Sequence, residues 1–421
     1  MSHTVVLEID GVAYDDKAIE GVTIRWGRQS VQDQPEPTSC SVSFVRDSNL
    51  GTIDVTDIKV GAQLKIDVTP SGQSTARRFF GIITDVDVNY YTIDVACVAT
   101  GIYTLRQLGY TIAANNVAFA IEENASLAVT QVYYGAALQS GVDLLATPLP
   151  TRYPQISVDG DYPNGHPDVS FLFTTDPTEP PVTWRLLEFV NDWANSVPSG
   201  VIWEDMLEVG GVDNVNVVFA GQLARDVVLT PAVTLTQDEV VLDWTSSRDL
   251  GLFCTASTIS YTGPVNTTTW EYDTPGEEAY LSSLTTTWGG FAKDYSVPLV
   301  YAADAAELAK VNVQNGEVPG YVTEVTIPLA TLAAARQSTI VTNLLNGSLW
   351  ETPTLATGVP TLYFLEGYTE TISRADWTLR LMLSDPSNSW YGQRWQDVTS
   401  TLQWGQVGAT TTWLDLQGQE L

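Results

Sequence analysis

Short stretches in which apolar and polar residues alternate are the feature that most constrains how this chain can fold. In the segment TSCSVSFV, Cys40, Val42 and Phe44 share one face and the intervening serines share the other. The same alternation recurs at 64–68 and 93–97. A period of two places successive side chains on opposite faces of a β-strand. Because these strands are short and closely spaced by turns, the sequence predicts a small antiparallel β-barrel over about the first hundred residues.

The middle of the chain has a different pattern. Apolar residues spaced by three and four predict short amphipathic helices at 102–109, 121–138 and 182–196. The Pro-, Gly- and Asp-rich stretch 147–181 is predicted to be loop. Strands resume after it, and one more helix is predicted at 303–314 before the strand VTEVTIPL.

Two hairpins of the sequence align without a gap. The segment GIITDVDVNYYTIDVAC, which begins at Gly81, matches GYTETISRADWTLRLML, which begins at Gly367, and the match places Tyr91 over Trp377. Chance similarity between hairpins with alternating faces is the alternative. If the match is a true repeat, the chain carries two related barrels.

The predicted fold class is therefore mainly β with some α: two small antiparallel β-barrels joined by an α+β or irregular middle region. Three chains with two like barrels each would form a pseudo-sixfold ring with threefold symmetry, which can cap a sixfold tube. The predicted units are a first, tube-capping barrel (1–105), a helical and irregular connecting domain (106–225), a second barrel (226–398) with a helix–strand insertion (about 301–345), and a Trp-rich C-terminal arm (399–421).

Tryptophans recur at the end of the chain. Trp395, Trp404 and Trp413 lie nine residues apart, each followed two places later by Asp or Gln. Equal steps of aromatic residues along an extended chain suit docking into a repeated groove on a partner. The alternative is a terminal strand whose tryptophans pack in a core.

Charge excludes one class of partner. The chain has 19 Lys and Arg against 50 Asp and Glu, a formal net charge of -31. Such a surface repels phosphate, so sequence-specific binding to DNA or RNA is not expected. An acidic wall would instead let DNA pass through a channel without adhering to it, but a solvated surface that keeps the protein soluble is the simpler interpretation. No apolar run approaches the roughly 20 residues that span a bilayer, so we expect no membrane insertion.

The residues that catalysis commonly needs are scarce. There are two histidines, His3 and His166, and no nucleophile elbow, zinc-protease helix, Walker loop or dinucleotide fingerprint. The three cysteines favour folding in a reducing cytoplasm without a disulfide framework. We expect no enzyme activity, no catalytic residues, no cofactor and no metal. Acidic residues at 85–89 and 159–168 are oxygen donors that could bind calcium, but solvated turn residues are the simpler interpretation.

Several blocks together resemble a known family. The segments VTIRWGRQSVQDQPEPTSCSVSF (22–44), FFGIITDVDV (79–88), VACVATGIYTLRQL (95–108), DAAELAKVNVQ (304–314) and GYTETISRADWTLRLMLS (367–384) occur in an order that resembles minor tail proteins of actinobacteriophages, which belong to the phage baseplate hub family. The resemblance implies a virion protein at the tail tip, made in the host cytoplasm. It implies a homotrimer that contacts the distal tail protein or tube ring, the tape measure protein and distal fibres or spikes, around a channel for DNA.

Two other functions remain open on sequence grounds. Exposed Trp and Tyr stack well on sugars, so a carbohydrate- or receptor-binding β-protein of the virion is one alternative. A glycoside hydrolase is the other, because two carboxylates at a set separation suffice for that chemistry. No motif singles out such a pair among the 50 acidic residues.

Overall fold

The protein was analysed as a computed structural model, which describes twenty-one segments of the chain. These are residues 3–14, 19–28, 36–45, 58–111, 119–124, 133, 155–159, 168–173, 183–196, 200–209, 212–220, 230–240, 243–248, 253–261, 263–264, 272–273, 276–280, 290–297, 299, 301–317 and 321–386.

Strands dominate the described residues. The strands of the first 111 residues are β1 (His3–Ile9), β2 (Val12–Tyr14), β3 (Ile19–Gly27), β4 (Ser39–Val45), β5 (Gln63–Pro70), β6 (Ala76–Val88), β7 (Thr92–Val98) and β8 (Gly109–Thr111). The middle strands are β9 (Phe119–Asn124), β10 (Gln155–Asp159), β11 (Asp168–Phe173), β12 (Thr183–Arg185), β13 (Val201–Val209) and β14 (Val212–Ala220). The remaining strands are β15 (Val233–Thr234), β16 (Trp244–Ser247), β17 (Ala256–Tyr261), β18 (Gly263–Pro264), β19 (Tyr272–Asp273), β20 (Gly276–Tyr280), β21 (Ala292–Val297), β22 (Val322–Ile327), β23 (Leu349–Glu351), β24 (Leu362–Ile372) and β25 (Trp377–Ser384).

Helices are few and short. They are α1 (Thr100–Gln107), α2 (Leu186–Ser196), α3 (Ala302–Glu317) and α4 (Ala334–Thr342), with a 3₁₀ turn at Leu329–Thr331. α1, α2 and α3 lie where the sequence predicts helices, whereas α4 lies where it predicts none. None of the helices in the described segments is long and apolar enough to cross a membrane.

One large sheet holds strands from both ends of the chain. Its strand order is β16-β22-β25-β24-β3-β4-β7-β6-β5-β1-β2, with β23 beside β24 and β15 beside β23. All neighbours along that order are antiparallel. The mainly antiparallel β class is therefore confirmed. In the described residues the two end strands, β2 and β16, do not pair, so the large sheet is open there.

Two parts of this sheet have the same topology. We call β3–β7 the first module and β16 with β22–β25 the second module. Numbered in chain order, the five strands of each module lie in the spatial order 1-2-5-4-3. The modules join where β3 pairs with β24, and we call this strand pair the module interface.

The alternation read from the sequence decides which face of the large sheet is buried. Val42 and Phe44 of β4 are at most 1% exposed, and Leu379 and Leu381 of β25 are fully buried in the same hydrophobic cluster. Ser41, which directly precedes Val42 and lies on the opposite face, is exposed. One face of the sheet therefore packs a continuous core across both modules, as the period of two requires.

Smaller sheets account for the rest of the described strands. β10, β14 and β13 form one three-stranded sheet and β20, β17 and β21 form another. Two strands, β10 and β11, fall inside 147–181, so the loop prediction was wrong there. They pair with β14 and β9, which are distant in sequence, and a local reading of Pro and Gly content cannot detect such partners. The helix predicted from 121 was also wrong at its start, because 121–124 lies in β9.

Candidate assembly site at the module interface

The module interface brings two glycines directly opposite each other. Gly27 of β3 pairs with Gly367 of β24, and Trp26 pairs with Tyr368 beside them. A Cβ on Gly367 would lie 2.6 Å from the carbonyl oxygens of both Trp26 and Arg28. A Cβ on Gly27, whose φ is +68°, would collide with the backbone of β24. Only glycine lets the two backbones approach this closely.

A buried ion pair lies at one end of the module interface. The Arg28 Nε donates to Glu366 Oε2 at 2.5 Å, and both side chains are almost inaccessible to solvent. The Ser384 hydroxyl donates to the other carboxylate oxygen of Glu366 at 2.5 Å. The Arg28 backbone N–H also donates to the Glu366 carbonyl at 3.1 Å. Arg28 and Glu366 therefore join the two modules through both their side chains and their backbones.

A second buried ion pair lies further along β24. The Arg78 Nε of β6 donates to Glu370 Oε2 at 3.0 Å, and the Trp377 indole N–H donates to Glu370 Oε1 at 2.7 Å. Arg78 also donates to the Tyr368 hydroxyl at 3.2 Å. Burial opposes the charge on Arg78, but Glu370 and Tyr368 together outweigh it and hold the pKa of Arg78 above its ordinary value. Burial raises the pKa of Tyr368, which keeps its hydroxyl protonated.

Aromatic contacts cover the same region. Trp26 and Tyr368 stack with ring centroids 6.0 Å apart, and His3 lies 5.1 Å from Trp377. A ring nitrogen of His3 is 2.8 Å from the Ser373 carbonyl oxygen, in the turn that precedes Trp377. Strand β1 therefore contacts the second module as well as its own neighbours in the sheet.

These groups favour a fixed joint over a reactive centre. Removing one partner of a buried ion pair leaves an uncompensated charge, which costs about 3–5 kcal/mol. Each carboxylate here has both oxygens satisfied by donors, so neither is poised to bind a further ligand. The arrangement specifies one alignment of the two modules.

A buried carboxylate attaches the middle of the chain to the first module. Glu204 of β13 accepts the Thr38 N–H at 2.7 Å and the Ile102 N–H, in the first turn of α1, at 2.6 Å. Burial raises the pKa of Glu204, and the neighbouring charge of Asp205 adds to the effect. Gly101 has no side chain that could occupy the position of the carboxylate, since a Cβ there would collide with it. Both carboxylate oxygens are thus used to bind backbone donors.

The two hairpins of the predicted repeat have the same hydrogen bond across the turn. Their turns coincide only when one sequence is shifted by two residues from the gap-free match. In the first, Asn89 N–H donates to the Thr92 carbonyl at 2.8 Å, and in the second Ser373 N–H donates to Asp376 at 2.7 Å. The last strand pair before each turn is Val88 with Ile93 and Ile372 with Trp377.

This register places Ile93 over Trp377, two positions later than the gap-free match that used Tyr91. Ile93 and Trp377 are both fully buried, whereas Tyr91 is 75% exposed in the turn. A Cβ on Gly81 would collide with the carbonyl of Val98, and a Cβ on Gly367 would collide with the carbonyls of Trp26 and Arg28. The two glycines have similar surroundings at different steps of the hairpin.

The first hairpin carries an exposed aromatic pair. Tyr90 and Tyr91 are 82% and 75% exposed, with ring centroids 4.7 Å apart and planes at 82°. Two rings at right angles cannot both lie flat on one sugar chain. This geometry does not favour the carbohydrate-binding alternative at this turn.

Some of the other residues singled out by the sequence have no structural description. Trp395, Trp404 and Trp413 lie outside the described residues. In the segments that are described, no three His, Cys, Asp or Glu side chains are grouped as metal ligands. Asp85 and Asp87 lie in β6, on the face opposite the core.

The charged core residues were missed by sequence reasoning. Glu370 continues the inward period of Tyr368 and Ile372, and Glu366 interrupts the apolar run LYFLEGY. A carboxylate at a core-facing strand position signals a buried partner. The sequence does not reveal that the partners are Arg28 and Arg78, about three hundred residues away.

The fold has solved relatives. The chain is similar to the 43 kDa tail protein of prophage MuSo2 from Shewanella oneidensis, with 13% identity, a TM-score of 0.56, and coverage of 92% of this chain and 99% of that chain. It is also similar to the tail protein from Neisseria meningitidis MC58, with 13% identity, a TM-score of 0.57, and coverage of 92% and 98%. The chain shares its fold with phage tail proteins. No family model and no curated protein sequence matches it.

Proposed function

We propose that the chain is the structural hub of a long-tailed phage, three copies of which form a pseudo-sixfold ring at the distal end of the tail tube. The observation that carries this proposal is the common 1-2-5-4-3 strand order of two modules joined edge to edge in one chain. Two like modules per chain convert a threefold assembly into six similar units. In this proposal the modules correspond to the two small barrels of the hub type, and the chain has no enzymatic role.

The tail fold supports a role in a virion. Two solved structures that share this fold are tail proteins, one of a prophage and one from Neisseria, and the similarity covers nearly their whole length. The partners that we propose are the distal tail protein or tube ring, the tape measure protein and the distal fibres or spikes. The net charge of -31 is compatible with a channel that DNA crosses without binding.

The C-terminal region is proposed to dock the distal partner. Trp395, Trp404 and Trp413 would supply the aromatic contacts that commonly dominate protein interfaces. Removing the residues after Asp385 should abolish docking of the distal protein and leave the oligomer intact. Unchanged docking would show that the tryptophans do not form this contact.

Sedimentation equilibrium of the full chain tests the hub directly. A mass three times that of the chain, with six lobes around a ring in negative-stain micrographs, is the expected result. A monomer at every concentration, or a ring with any other number of copies, would contradict the proposal. Adding tube protein to the trimer should give end-capped tubes under the same microscope.

A further inference from the structure

The second module has an edge strand where the first has an internal one. β16 pairs with β22 on one side, and no strand of the described segments pairs with its other side. Its counterpart β3 pairs with β4 and with β24. Ile24, opposite Cys40, is fully buried, whereas Trp244, in the equivalent place opposite Val325, is only partly buried. The missing neighbour accounts for this difference in burial.

The first module has a matching gap. The second half of β6, Thr84–Val88, pairs with β7, and no strand of the described part of the chain lies on its other side. In the second module the equivalent stretch, Gly367–Ile372, holds β3 on that side. Val88 is 46% exposed, whereas Ile372, which also directly precedes its turn, is fully buried. Within the chain, the modules are joined by β3 and the second half of β24. Their equivalents in the other module, β16 and the second half of β6, each have an edge that pairs with no strand of the described segments.

Backbone groups of the β6 edge point toward the gap. The hydrogen bond from Asn89 to Thr92 fixes the alternation of the hairpin, so the N–H groups of Asp85 and Asp87 face β7 and that of Val86 faces outward. The Val86 N–H donates to the side chain of Asp85 at 2.9 Å, in place of a strand carbonyl. Charged side chains on an edge strand are one way in which proteins protect sheet edges, and Asp85 is such a residue.

We propose that β16 of one copy pairs with Thr84–Val88 of a second copy and repeats the module interface between chains. The edge contact is inferred from the module interface itself, and the closure into a ring of three rests on the proposed hub function. Transferring the register of β3 on β24 gives three pairs of opposite residues: Trp244 with Val86, Thr245 with Asp85, and Asp243 with Asp87.

The last of these pairs sets the strength of the contact. Asp243 and Asp87 are both exposed and, in this register, have like charges directly opposite each other, which destabilises strand pairing. The free chain therefore associates weakly, and its edges do not pair with arbitrary strands. This repulsion also supplies a test that depends on the register.

Paired cysteines test the contact itself. Asp85 and Thr245 form a non-hydrogen-bonded pair, whose Cα atoms lie about 4.5 Å apart, within the range of a disulfide. The double variant Asp85→Cys/Thr245→Cys, oxidised with glutathione disulfide, should form covalent oligomers on a non-reducing gel. The control Asp85→Cys/Ser247→Cys is two residues out of register and should not. The native cysteines Cys40, Cys97 and Cys254 are buried.

Charge variants test the same register without cross-linking. Asp243→Lys and Asp87→Lys should each raise the association constant in sedimentation equilibrium by roughly three- to tenfold, because an opposite-charge pair replaces a repulsive one. The double variant restores like charges and should return to the wild-type value. Asp238→Lys makes the same change of net charge at an exposed position elsewhere and should have a smaller effect than either.

The outcomes separate this inference from the proposed function. An oligomer of wild-type chain with no in-register disulfide, or with no reversal in the double charge variant, overturns the edge contact and leaves the hub proposal intact. A disulfide formed within single chains overturns it as well. A chain that stays monomeric in every variant overturns both proposals.

Discussion

Arg78 and Glu370 form a fully buried ion pair, 3.0 Å apart, between strands that lie nearly three hundred residues apart in the chain. The pair lies beside the module interface. Trp377 donates a further hydrogen bond to Glu370, and Arg78 donates one to the Tyr368 hydroxyl. Because burial removes both charges from water, the pair contributes to a single alignment of the modules more than to net stability.

Breaking this pair should be costly. Arg78→Met leaves the Glu370 carboxylate buried beside one indole donor, and we expect the free energy of unfolding to fall by about 3–5 kcal/mol. Arg78→Met/Glu370→Leu should recover much of the loss, because no charge is then buried. Urea unfolding followed by tryptophan fluorescence measures both. The control Arg380→Met breaks a pair in which Arg380 is 61% exposed and should cost about 1 kcal/mol or less. Equal losses at Arg78 and Arg380 would contradict this account.

Gly367→Ala should separate the modules locally. The new Cβ would lie 2.6 Å from the carbonyl oxygens of Trp26 and Arg28, and backbone atoms cannot move aside as a side chain can. We expect a loss of about 2–4 kcal/mol in the same unfolding assay. Gly21→Ala is the matched control, because a Cβ on Gly21 meets nothing within 4 Å. If both substitutions are tolerated equally, the close approach of the strands is not required for stability.

Local patterns predicted several individual strands and helices. Alternation identified β4, β5 and β7, and helical spacing identified α1, α2 and α3. The order of strands in the sheet could not be read in this way, because the pairing of β3 with β24 joins segments with no local relationship. The continuous sheet across both modules is a long-range result of burying one face.

The candidate site was less predictable than the fold. Gly367 and Trp377 were selected from a sequence repeat, and both lie at or beside the module interface. Arg28, Arg78 and Glu366 were not selected, since a single charged residue in a strand resembles any solvated one. The tyrosine matched to Trp377 lies two residues out of register with it, because the alignment is anchored on Gly81 and Gly367, which lie at different distances from the turn in the two hairpins.

Glu204 should respond to substitution and to pH in a defined direction. Glu204→Gln places an amide N–H₂ against one of two backbone donors, so we expect a loss of about 1–3 kcal/mol. The raised pKa means that the folded state holds the proton more tightly than the unfolded state. This contribution to stability is present at low pH and is lost as the pH rises through the folded pKa.

The wild-type advantage over Glu204→Gln should therefore be larger near pH 5 than near pH 8. Because other carboxylates titrate equally in both proteins, the difference between their urea midpoints isolates Glu204. An advantage that grows with pH would mean that the carboxylate is favoured in its charged form, contrary to the burial described here.

Tyr91 and Trp377 should differ sharply in their effect on stability, although the sequence aligns them. Tyr91→Ser removes a ring that is 75% exposed in a turn, and we expect a change within about 0.5 kcal/mol. Trp377→Ala empties a fully buried position, removes the indole donor to Glu370 Oε1 and removes the ring beside His3, so a loss of about 3–5 kcal/mol is expected. Ile93→Ala, at the structurally equivalent position, should cost about 2–5 kcal/mol. If Tyr91→Ser and not Ile93→Ala resembled Trp377→Ala, the gap-free alignment would describe the two hairpins better than the hydrogen-bond register does.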